Sequence, residues 1–164
     1  MNKLKKTLLF FMLFISGLLA VYLYKRFQSA PTIALFKEEL LDDKSNRCNL
    51  EKYKGNACIV SFYASWCGEC IRELNELNVI YSQLKNTSVI CITDESMDKL
   101  ISFKTKKNYP FQFYKTEKSF SDLAIHSIPV TYIINSNGEV VYKKVGAVNW
   151  KDQSFLQYAK NLLR

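Results

Sequence analysis

The sequence predicts an α/β domain, in which helices flank a mixed central sheet, joined to an apolar N-terminal helix. Three observations predict this fold class. Short apolar runs of strand length alternate with stretches whose apolar residues recur at helical spacing, the pattern of layered α/β domains. The segment "NSNG" at 135–138 carries an Asn-Gly turn signal, which predicts an antiparallel hairpin within the sheet. Residues 7–24 contain no charged side chain.

Strands and helices are expected to alternate along the chain. The apolar patterns predict strands at 57–64, 88–93, 111–114, 130–135 and 139–146. Helical spacing of apolar residues predicts helices at 68–84, 96–107 and 119–126, and a last helix within 150–163. In the helix at 96–107, the inner stripe is predicted to contain Met97, Leu100 and Ile101, and Ser96 is a plausible N-cap.

The uncharged N-terminal stretch is predicted to be a membrane anchor. As a helix, residues 7–24 would rise about 27 Å, close to the thickness of the hydrocarbon core. A cleaved signal peptide is the alternative, with "QSA" at 28–30 as a weak cleavage site. Because the stretch ends in bulky and then basic residues, we expect it to stay uncleaved. The predicted organisation is an anchor at 1–24, a tether at 25–35 and a domain at 36–164.

The distribution of charge predicts the orientation of this anchor and excludes one class of partner. Lys3, Lys5 and Lys6 precede the apolar stretch, so the positive-inside bias places the N-terminus in the cytoplasm and the domain outside it. The whole chain has 164 residues, with 23 Lys and Arg against 15 Asp and Glu. These positive charges are scattered rather than arranged in an arginine-rich stripe with aromatic residues. We therefore expect no nucleic-acid partner.

Two of the five cysteines, Cys67 and Cys70, form a Cys-x-x-Cys motif between a predicted buried strand and a predicted helix. Structural zinc needs four ligands, and the sequence has no second pair at zinc spacing and a single histidine, His126. Two unreactive buried thiols are another interpretation. The strand-to-helix junction favours a redox pair, because free N–H groups and the helix dipole stabilise a thiolate at Cys67. Cys70, one turn later, could then resolve a mixed disulfide formed by Cys67.

Three segments resemble a known family. "FYASWCGEC" at 62–70 resembles the thioredoxin active site, F-W-A-x-W-C-G-P-C. "SIPVTYIINSNGEVVYKKVGAV" at 127–148 resembles the stretch in which a cis-proline loop is followed by a hairpin. The stretch from "TDE" at 93–95 to "FQFY" resembles the insertion of the TlpA/ResA branch of membrane-anchored thioredoxin-like proteins. The resemblance covers residues 33–164 and implies a thioredoxin-like fold behind an N-terminal transmembrane helix.

This resemblance also implies site residues, partners and a reaction. It places a cis Ile128–Pro129 bond opposite Cys67, where the Ile128 backbone would pair with an extended substrate, and Trp66 would cover one side of the redox pair. The implied activity is thiol–disulfide exchange on protein substrates. The branch favours a reductase, for example one that keeps the haem-attachment cysteines of apocytochromes c reduced. A membrane thiol donor would return electrons, and the implied site needs no metal and no cofactor beyond the Cys67–Cys70 disulfide.

Two of the departures from the family pattern near the pair bear on its chemistry. Glu69 follows Gly68 where most relatives have proline, and a carboxylate beside Cys67 opposes thiolate formation. A less stabilised thiolate makes the reduced form less stable, so we expect Gly68 and Glu69 to make the couple more reducing, although a solvated glutamate without redox effect is equally open. Ser61 stands where thioredoxins proper carry a buried aspartate. Proton handling would then depend on water or on another acid such as Glu69.

Several alternatives remain open from the sequence. The pair could serve an oxidase or isomerase, and Cys67, Cys70 and His126 together could bind Cu(I) in a metallochaperone. A redox-silent binding module is disfavoured because the pair and Pro129 occur together. Cys48 and Cys58 could pair with each other, and Cys91 is most simply a small buried hydrophobic residue.

Overall fold

The computed structural model describes residues 3–28, 30–31, 33–84 and 86–163, with the backbone alone described at 3–6 and 24–28. The helices are α1 (Lys3–Gln28), α2 (Gly68–Ile80), α3 (Met97–Lys107) and α4 (Gln153–Leu162). Single 3₁₀ turns occupy Leu35–Lys37, Leu50–Tyr53 and Tyr81–Gln83. The strands are β1 (Leu40–Leu41), β2 (Arg47–Cys48), β3 (Ala57–Phe62), β4 (Thr87–Thr93), β5 (Gln112–Thr116), β6 (Val130–Ile134) and β7 (Val140–Val145).

Within the described residues, the seven strands form one mixed sheet in the order β2-β1-β5-β4-β3-β6-β7. β3, β4 and β5 run parallel, while β6 pairs antiparallel with β3, and β7 returns as the hairpin partner of β6. All six residues of β3 are buried, because it lies near the centre of a sheet that is covered on both faces. The predicted mixed α/β architecture is confirmed. The short strands β1 and β2, which are two residues each, were not predicted.

Among the described residues, α-helices pack against one face of the sheet. α2, α3 and α4 lie there over a core that includes Leu74, Leu100 and Leu156. The opposite face is covered by 3₁₀ turns and loops, which contribute Leu50 and Phe120 to a second core. Since α2 and α3 connect consecutive parallel strands in one direction across the sheet, they lie side by side on the same face.

The helix predicted at 119–126 is wrong. The segment forms turns instead, and Ala124 has φ 56°, in the left-handed region that ends a right-handed helix. The Ile125 N–H donates to the Phe120 carbonyl at 2.8 Å, while the Phe120 N–H donates to the Asp94 carboxylate at 2.9 Å. The bond to Asp94 ties the segment to the residue just after β4, and the Ile125–Phe120 bond spans five residues instead of the four of an α-helix.

The predicted inner stripe of α3 is also partly wrong. Leu100 and Phe103 are the buried residues of this helix, whereas Ile101 is 42% exposed. Ser96 is the N-cap residue by position, but its side chain makes no capping hydrogen bond. The ring of Phe103 lies 5.0 Å from that of Tyr63, centroid to centroid, so α3 packs on the chain just before the Cys-x-x-Cys motif.

The predicted hairpin is confirmed between β6 and β7. Gly138 has φ 81°, a conformation that favours glycine, and the Asn135 side chain accepts from the N–H groups of Asn137 and Glu139 at 3.0 Å each. β7 forms the outer edge of the sheet on this side.

The side chains of α1 are described from Thr7 to Leu23. Its bulky apolar side chains are exposed on every side of the helix, with Phe10 at 70% and Leu13 at 64%. Among the described residues, no helix is both long enough and apolar enough to cross a membrane.

Candidate active site

Cys67 and Cys70 form a disulfide at the first turn of α2, with their Cα atoms 5.2 Å apart. Cys67 is the N-cap of the helix, and its Sγ accepts from the Cys70 N–H at 3.1 Å. The helix therefore directs its N-terminal N–H groups and the positive end of its dipole at the Cys67 sulfur, as predicted. Cys67 is 7% exposed and Cys70 is fully buried, so Cys67 is the sulfur that an incoming group can reach first.

The loop before β6 lies against this disulfide. The Ile128–Pro129 peptide bond is cis, as the resemblance implied, and the Cys67 Sγ lies 3.9 Å from the Ile128 carbonyl oxygen. The Gly146 N–H, at the end of β7, donates to the Pro129 carbonyl at 2.8 Å. The strand pairing of β6 and β7 thus continues into the loop and fixes its position beside Cys67.

A groove of about 390 Å³ opens beside Cys67. It lies between the cis-proline loop and residues 63–67, which join β3 to α2 and are named the redox loop below. Trp66, which is 73% exposed, lines it together with Ile128, His126 and Asp94. His126 therefore lies near the redox pair. Nevertheless, among the residues that the structure describes, no group of three or more His, Cys, Asp or Glu side chains is arranged to hold a metal ion.

Glu69 does not act as an isolated carboxylate. It is exposed, and the Arg72 guanidinium donates to its Oε2 at 2.6 Å. This hydrogen bond, together with the positive charge of Arg72, holds the pKa of Glu69 below its usual range. Arg72 also donates to Glu76 at 3.2 Å. The sequence suggested a lone carboxylate at position 69, but the carboxylate two residues after Cys67 belongs to an ion pair.

A buried carboxyl group that the sequence analysis missed is Glu73. It lies one turn after Cys70 and is fully buried. Its two oxygens accept from the Thr131 hydroxyl at 2.5 Å and the Val148 N–H at 2.8 Å. Burial raises the pKa of Glu73 to about 6, and these hydrogen bonds oppose part of that rise. A signal existed, because position 73 falls on the apolar stripe of the predicted helix, between Cys70 and Leu74.

Ser61, by contrast, cannot supply the acid that thioredoxins proper carry at its position. It is fully buried in β3, paired in register with Cys91 of β4 and Thr131 of β6. Its hydroxyl has no hydrogen-bond partner among the described residues. Thr131, which pairs with Ser61 across β3 and β6, also donates to the Glu73 carboxylate. Helix α2 therefore brings the carboxyl group of Glu73 close to Ser61.

Glu95 holds the redox loop from the other side. It follows β4, and its side chain is only 7% exposed. Its carboxylate accepts from the Ser65 N–H at 2.5 Å and from the Ser65 hydroxyl at 2.9 Å, and it pairs with Lys99 at 3.4 Å. Ser65 stands two residues before Cys67, so these bonds fix the path of the chain into the motif. No sequence pattern identified Glu95 as a partner of this loop.

The remaining cysteines are free in this structure. Cys91 is fully buried, as predicted, and burial raises its pKa well above the usual value. Cys58 is buried in β3, where burial raises its pKa to about 11, and Cys48 is partly buried in β2. The open possibility of a Cys48–Cys58 disulfide is therefore not realised.

A disulfide at the start of a helix, facing a cis-proline loop on a mixed sheet, defines a thiol–disulfide exchange site of the thioredoxin class. The chain belongs to the AhpC/TSA family, whose model matches residues 28–143.

Relatives agree with this class, and a solved structure shares the fold. The chain is 24% identical over 145 residues to the thiol-disulfide oxidoreductase ResA of Bacillus thuringiensis (strain Al Hakam). The aligned residues cover 82% of this chain and 84% of that protein. It is 25% identical over 138 residues to the thiol:disulfide interchange protein DsbE of Vibrio cholerae, covering 80% and 74%. A putative DsbE from Chlorobium tepidum has the same fold, with a TM-score of 0.68, 18% identity, and coverage of 83% and 100%.

These findings confirm the predicted thioredoxin-like fold and the predicted likeness to ResA-type proteins. With its Cys67–Cys70 pair, the chain is a thiol–disulfide oxidoreductase.

Proposed function

We propose that the chain reduces disulfides of protein substrates outside the cytoplasm, using Cys67 as the attacking thiolate and Cys70 as the resolving thiol. One observation carries the proposal. The Cys67–Cys70 disulfide lies at a helix N-terminus, with the more accessible sulfur facing the Ile128 carbonyl. This arrangement combines a stabilised thiolate with an adjacent backbone acceptor for an extended substrate.

The reaction starts from the reduced pair. The Cys67 thiolate attacks one sulfur of the substrate disulfide, so that a Cys67–substrate bond forms and the other substrate sulfur leaves as a thiolate. The Cys70 thiolate then attacks the Cys67 sulfur, closes the Cys67–Cys70 bond and releases the second substrate sulfur. Two electrons pass to the substrate, and its two sulfurs take up protons. A membrane dithiol donor is needed to return the pair to its reduced form.

Substrate binding is assigned to the groove beside Cys67. The Ile128 backbone, held by the Pro129 loop, would pair with the segment that contains the substrate cysteine. Trp66 offers a large exposed ring at the rim, where the substrate chain would pack on it. No cofactor is needed beyond the cysteine pair itself.

Proton handling is assigned to Glu73 rather than to Glu69. Glu73 lies one turn beyond Cys70 on the inner side of α2, and its pKa of about 6 allows it to exchange protons near neutral pH. Glu69 is exposed and paired with Arg72, and its pKa is lowered, so that it stays ionised. The Gly68–Glu69 dipeptide keeps a role in tuning the thiolate of Cys67, exerted jointly with Arg72.

We further propose that residues 1–24 anchor the protein in the cell membrane, with residues 25–35 as tether and the domain at 36–164 on the outer face. Because no helix among the described residues is by itself long and apolar enough to cross a membrane, this proposal rests on the sequence: residues 7–24 carry no charge and three lysines precede them. The exposure of the apolar side chains along α1 is consistent with it. An anchored reductase at this location suits substrates such as apocytochromes c, whose haem-attachment cysteines must be reduced.

The reduction potential of the Cys67–Cys70 couple tests the proposed direction of electron flow. Equilibration with glutathione or dithiothreitol mixtures, followed by thiol trapping, gives this potential. A value of about −270 mV supports a reductase, whereas a value of about −120 mV would assign the chain to the oxidases. The Cys70→Ser variant, which stalls the mixed disulfide at Cys67, would then identify the protein substrates by mass spectrometry.

A further inference from the structure

A second groove adjoins the redox loop. It has a volume of about 440 Å³ and runs along α3, and it is named the α3 groove below. Ser65 lines it, whereas the neighbouring residues Ala64 and Trp66 line the groove at Cys67. The two grooves therefore share the redox loop as a common wall. A chain bound at Cys67 could continue into the α3 groove without crossing the body of the domain.

The α3 groove has an apolar floor. Phe103 is buried and packs against the core, and Ile71, the residue after Cys70, is partly buried against the same core. These two side chains leave apolar surface at the bottom of the groove, while the residues above them are polar. A peptide segment lying there would cover this surface and keep its polar groups near the rim.

The rim of the α3 groove is positively charged. Lys99, Lys106 and Lys107 line it, against a single carboxylate at Asp98. Lys99 is already paired with a carboxylate that holds the redox loop. Among the described residues, Lys106 and Lys107 form no ion pair, so their charges are available to a partner.

We propose that the α3 groove binds an acidic segment of the protein substrate, close in sequence to the cysteine that reacts with Cys67. The inference rests on the proposed exchange function, because it assigns a substrate feature to that site. Opposite charge at the rim would raise the rate of encounter and fix the orientation of the substrate, more than it would add affinity.

The length of α3 sets the position of the acidic residues. The helix has 11 residues and rises about 16 Å, a distance that an extended segment covers in about five residues. Ser65 and Ile71 mark the end of the groove near the cysteine pair, and Lys106 and Lys107 stand in the last turn of α3. Acidic side chains are therefore expected about four to six residues from the reacting cysteine.

Lys106 and Lys107 also have a simpler explanation, since cations in the last turn of a helix interact favourably with its dipole. If that were their only role, replacing the two lysines would change the reaction rates of all substrates by the same factor. A matched pair exists in α4, where Lys160 stands in the last turn, and Lys151 just precedes the helix. α3 contacts the sheet at β5 and α4 at β6, which lie on opposite sides of β3 and β4. The α4 lysines are therefore remote from the α3 groove.

The test uses the reduced full-length protein and three synthetic peptides. Each peptide contains one cysteine blocked as a mixed disulfide with thionitrobenzoate, so that attack by Cys67 releases the coloured thiolate. The peptides differ only at the fourth to sixth residues on both sides of the cysteine, which are aspartate, asparagine or lysine. The protein variants are Lys106→Gln/Lys107→Gln, the control Lys151→Gln/Lys160→Gln, and Cys67→Ser to give the background from other thiols.

The wild-type protein is expected to react with the aspartate peptide about five- to tenfold faster than with the asparagine peptide at low salt, because charge contacts with Lys106 and Lys107 are gained at the surface. The lysine peptide should be the slowest. Lys106→Gln/Lys107→Gln should abolish this ranking, while the control variant keeps it. Added salt should compress the ranking in the wild type.

Two failures are distinguishable. If the wild-type protein reacts with all three peptides well above the Cys67→Ser background but at equal rates, the α3 groove does not select acidic segments, and the exchange function stands. The same conclusion follows if Lys106→Gln/Lys107→Gln and the control Lys151→Gln/Lys160→Gln both lose the ranking of the peptides. If no peptide reacts above that background, the proposed exchange function itself fails.

Discussion

At the scale of single residues, the chemistry of the site depends on the different surroundings of three glutamates on α2. Glu69 is exposed and paired with Arg72, whereas Glu73 is buried between Thr131 and the backbone of Val148. Glu76, also buried, accepts from the Trp150 N–H at 3.0 Å. Because these residues are three or four apart, they follow one another along one side of the helix. Glu69 nevertheless forms an ion pair at the surface, whereas Glu73 and Glu76 accept from backbone N–H groups of the segment after β7.

Glu73 predicts a pH dependence of stability. Its pKa is about 6 in the folded chain against 4.5 for an ordinary glutamate, so the folded state binds the proton more tightly than the unfolded state. Between these two pH values, the free energy of unfolding should therefore fall as pH rises, by about 2 kcal/mol from this group. In Glu73→Gln, the amide can still accept from Val148 and bond Thr131. Urea titrations from pH 4 to 8 should show a shallower fall than in the wild type, and a variant at least as stable at pH 7.5.

An unchanged slope in Glu73→Gln would show that another group carries the pH dependence. A large loss of stability at every pH would mean instead that the amide cannot satisfy both hydrogen bonds. Chemical denaturation of the oxidised protein separates these results from any change in the redox pair.

The ion pair of Glu69 and Arg72 predicts opposite effects on Cys67. Glu69→Gln removes a negative charge and frees the guanidinium, so the pKa of the Cys67 thiol should fall. Arg72→Gln leaves the carboxylate uncompensated, so that pKa should rise. The double variant should lie close to the wild type. Thiolate absorbance near 240 nm, followed against pH in the reduced protein, measures the pKa of Cys67 in the wild type and the three variants. Shifts of the same sign in both single variants would contradict the assignment.

At the scale of elements, α3 shows why a helical pattern in sequence did not identify its inner face. Met97, Leu100 and Ile101 are all apolar and fit helical spacing, but the helix turns Leu100 and Phe103 inward. Phe103 packs on Tyr63 and Phe113, with ring centroids 5.0 and 6.1 Å away. Two apolar stripes overlap on α3, one containing Ile101 and the other Phe103. Aromatic residues of other elements determine which of them is buried, and a local sequence pattern does not contain those residues.

This orientation of α3 predicts unequal costs for two substitutions. Phe103→Ala removes a buried ring from the core and should lower the free energy of unfolding by about 3–5 kcal/mol. Ile101→Ala, at a 42% exposed position, should change it by less than about 1 kcal/mol. Thermal and urea unfolding of the two variants measure the difference. Equal losses of unfolding free energy in the two variants would show that Ile101 belongs to the buried face of α3.

The turns at 119–126 illustrate a second limit of local patterns. Phe120, Leu123 and Ile125 are buried, and the first two have helical spacing, which led to the wrong prediction. The segment is held by the Asp94 carboxylate and by the core on the face of the sheet without helices. Those contacts join residues far apart in sequence. By contrast, β3, β4, β6 and the start of α2 were predicted within two residues, because these strands are buried almost throughout and the helix carries an unambiguous stripe. α2 ends at Ile80, earlier than the predicted 84, and a 3₁₀ turn follows it.

At the scale of the whole molecule, hydrogen bonds connect the helix of the redox pair to the loop that faces it. Glu73 and Glu76 bind the backbone at Val148 and Trp150, and a few residues earlier Gly146 donates to Pro129. α2, the segment after β7 and the cis-proline loop thus form one connected unit. The sequence identified both ends of this unit, Cys67 and Pro129, from motifs. The two glutamates that connect them could be assigned only once the tertiary structure brought 146–150 beside α2.

The proposed anchor yields the last prediction at this scale. If residues 1–24 span the membrane, the full chain should stay in the pellet when membranes are washed at alkaline pH. Placing two charges in the middle of the apolar stretch, as in Leu13→Arg/Phe14→Arg, should release a large fraction of it. Each such charge costs about 2.5–3.5 kcal/mol at the centre of a membrane helix. The matched variant Leu13→Ala/Phe14→Ala keeps the stretch uncharged and should remain in the pellet.

The same preparation checks orientation. With the N-terminus in the cytoplasm, protease added outside intact spheroplasts should digest the domain, and a thiol reagent that does not cross the membrane should label Cys67 after reduction. Protection of Cys67 from this reagent would reverse the proposed topology. Release of wild-type chain by the alkaline wash, with the same fraction released from both variants, would contradict the anchor itself, since a peripheral attachment would not depend on charge at the centre of α1.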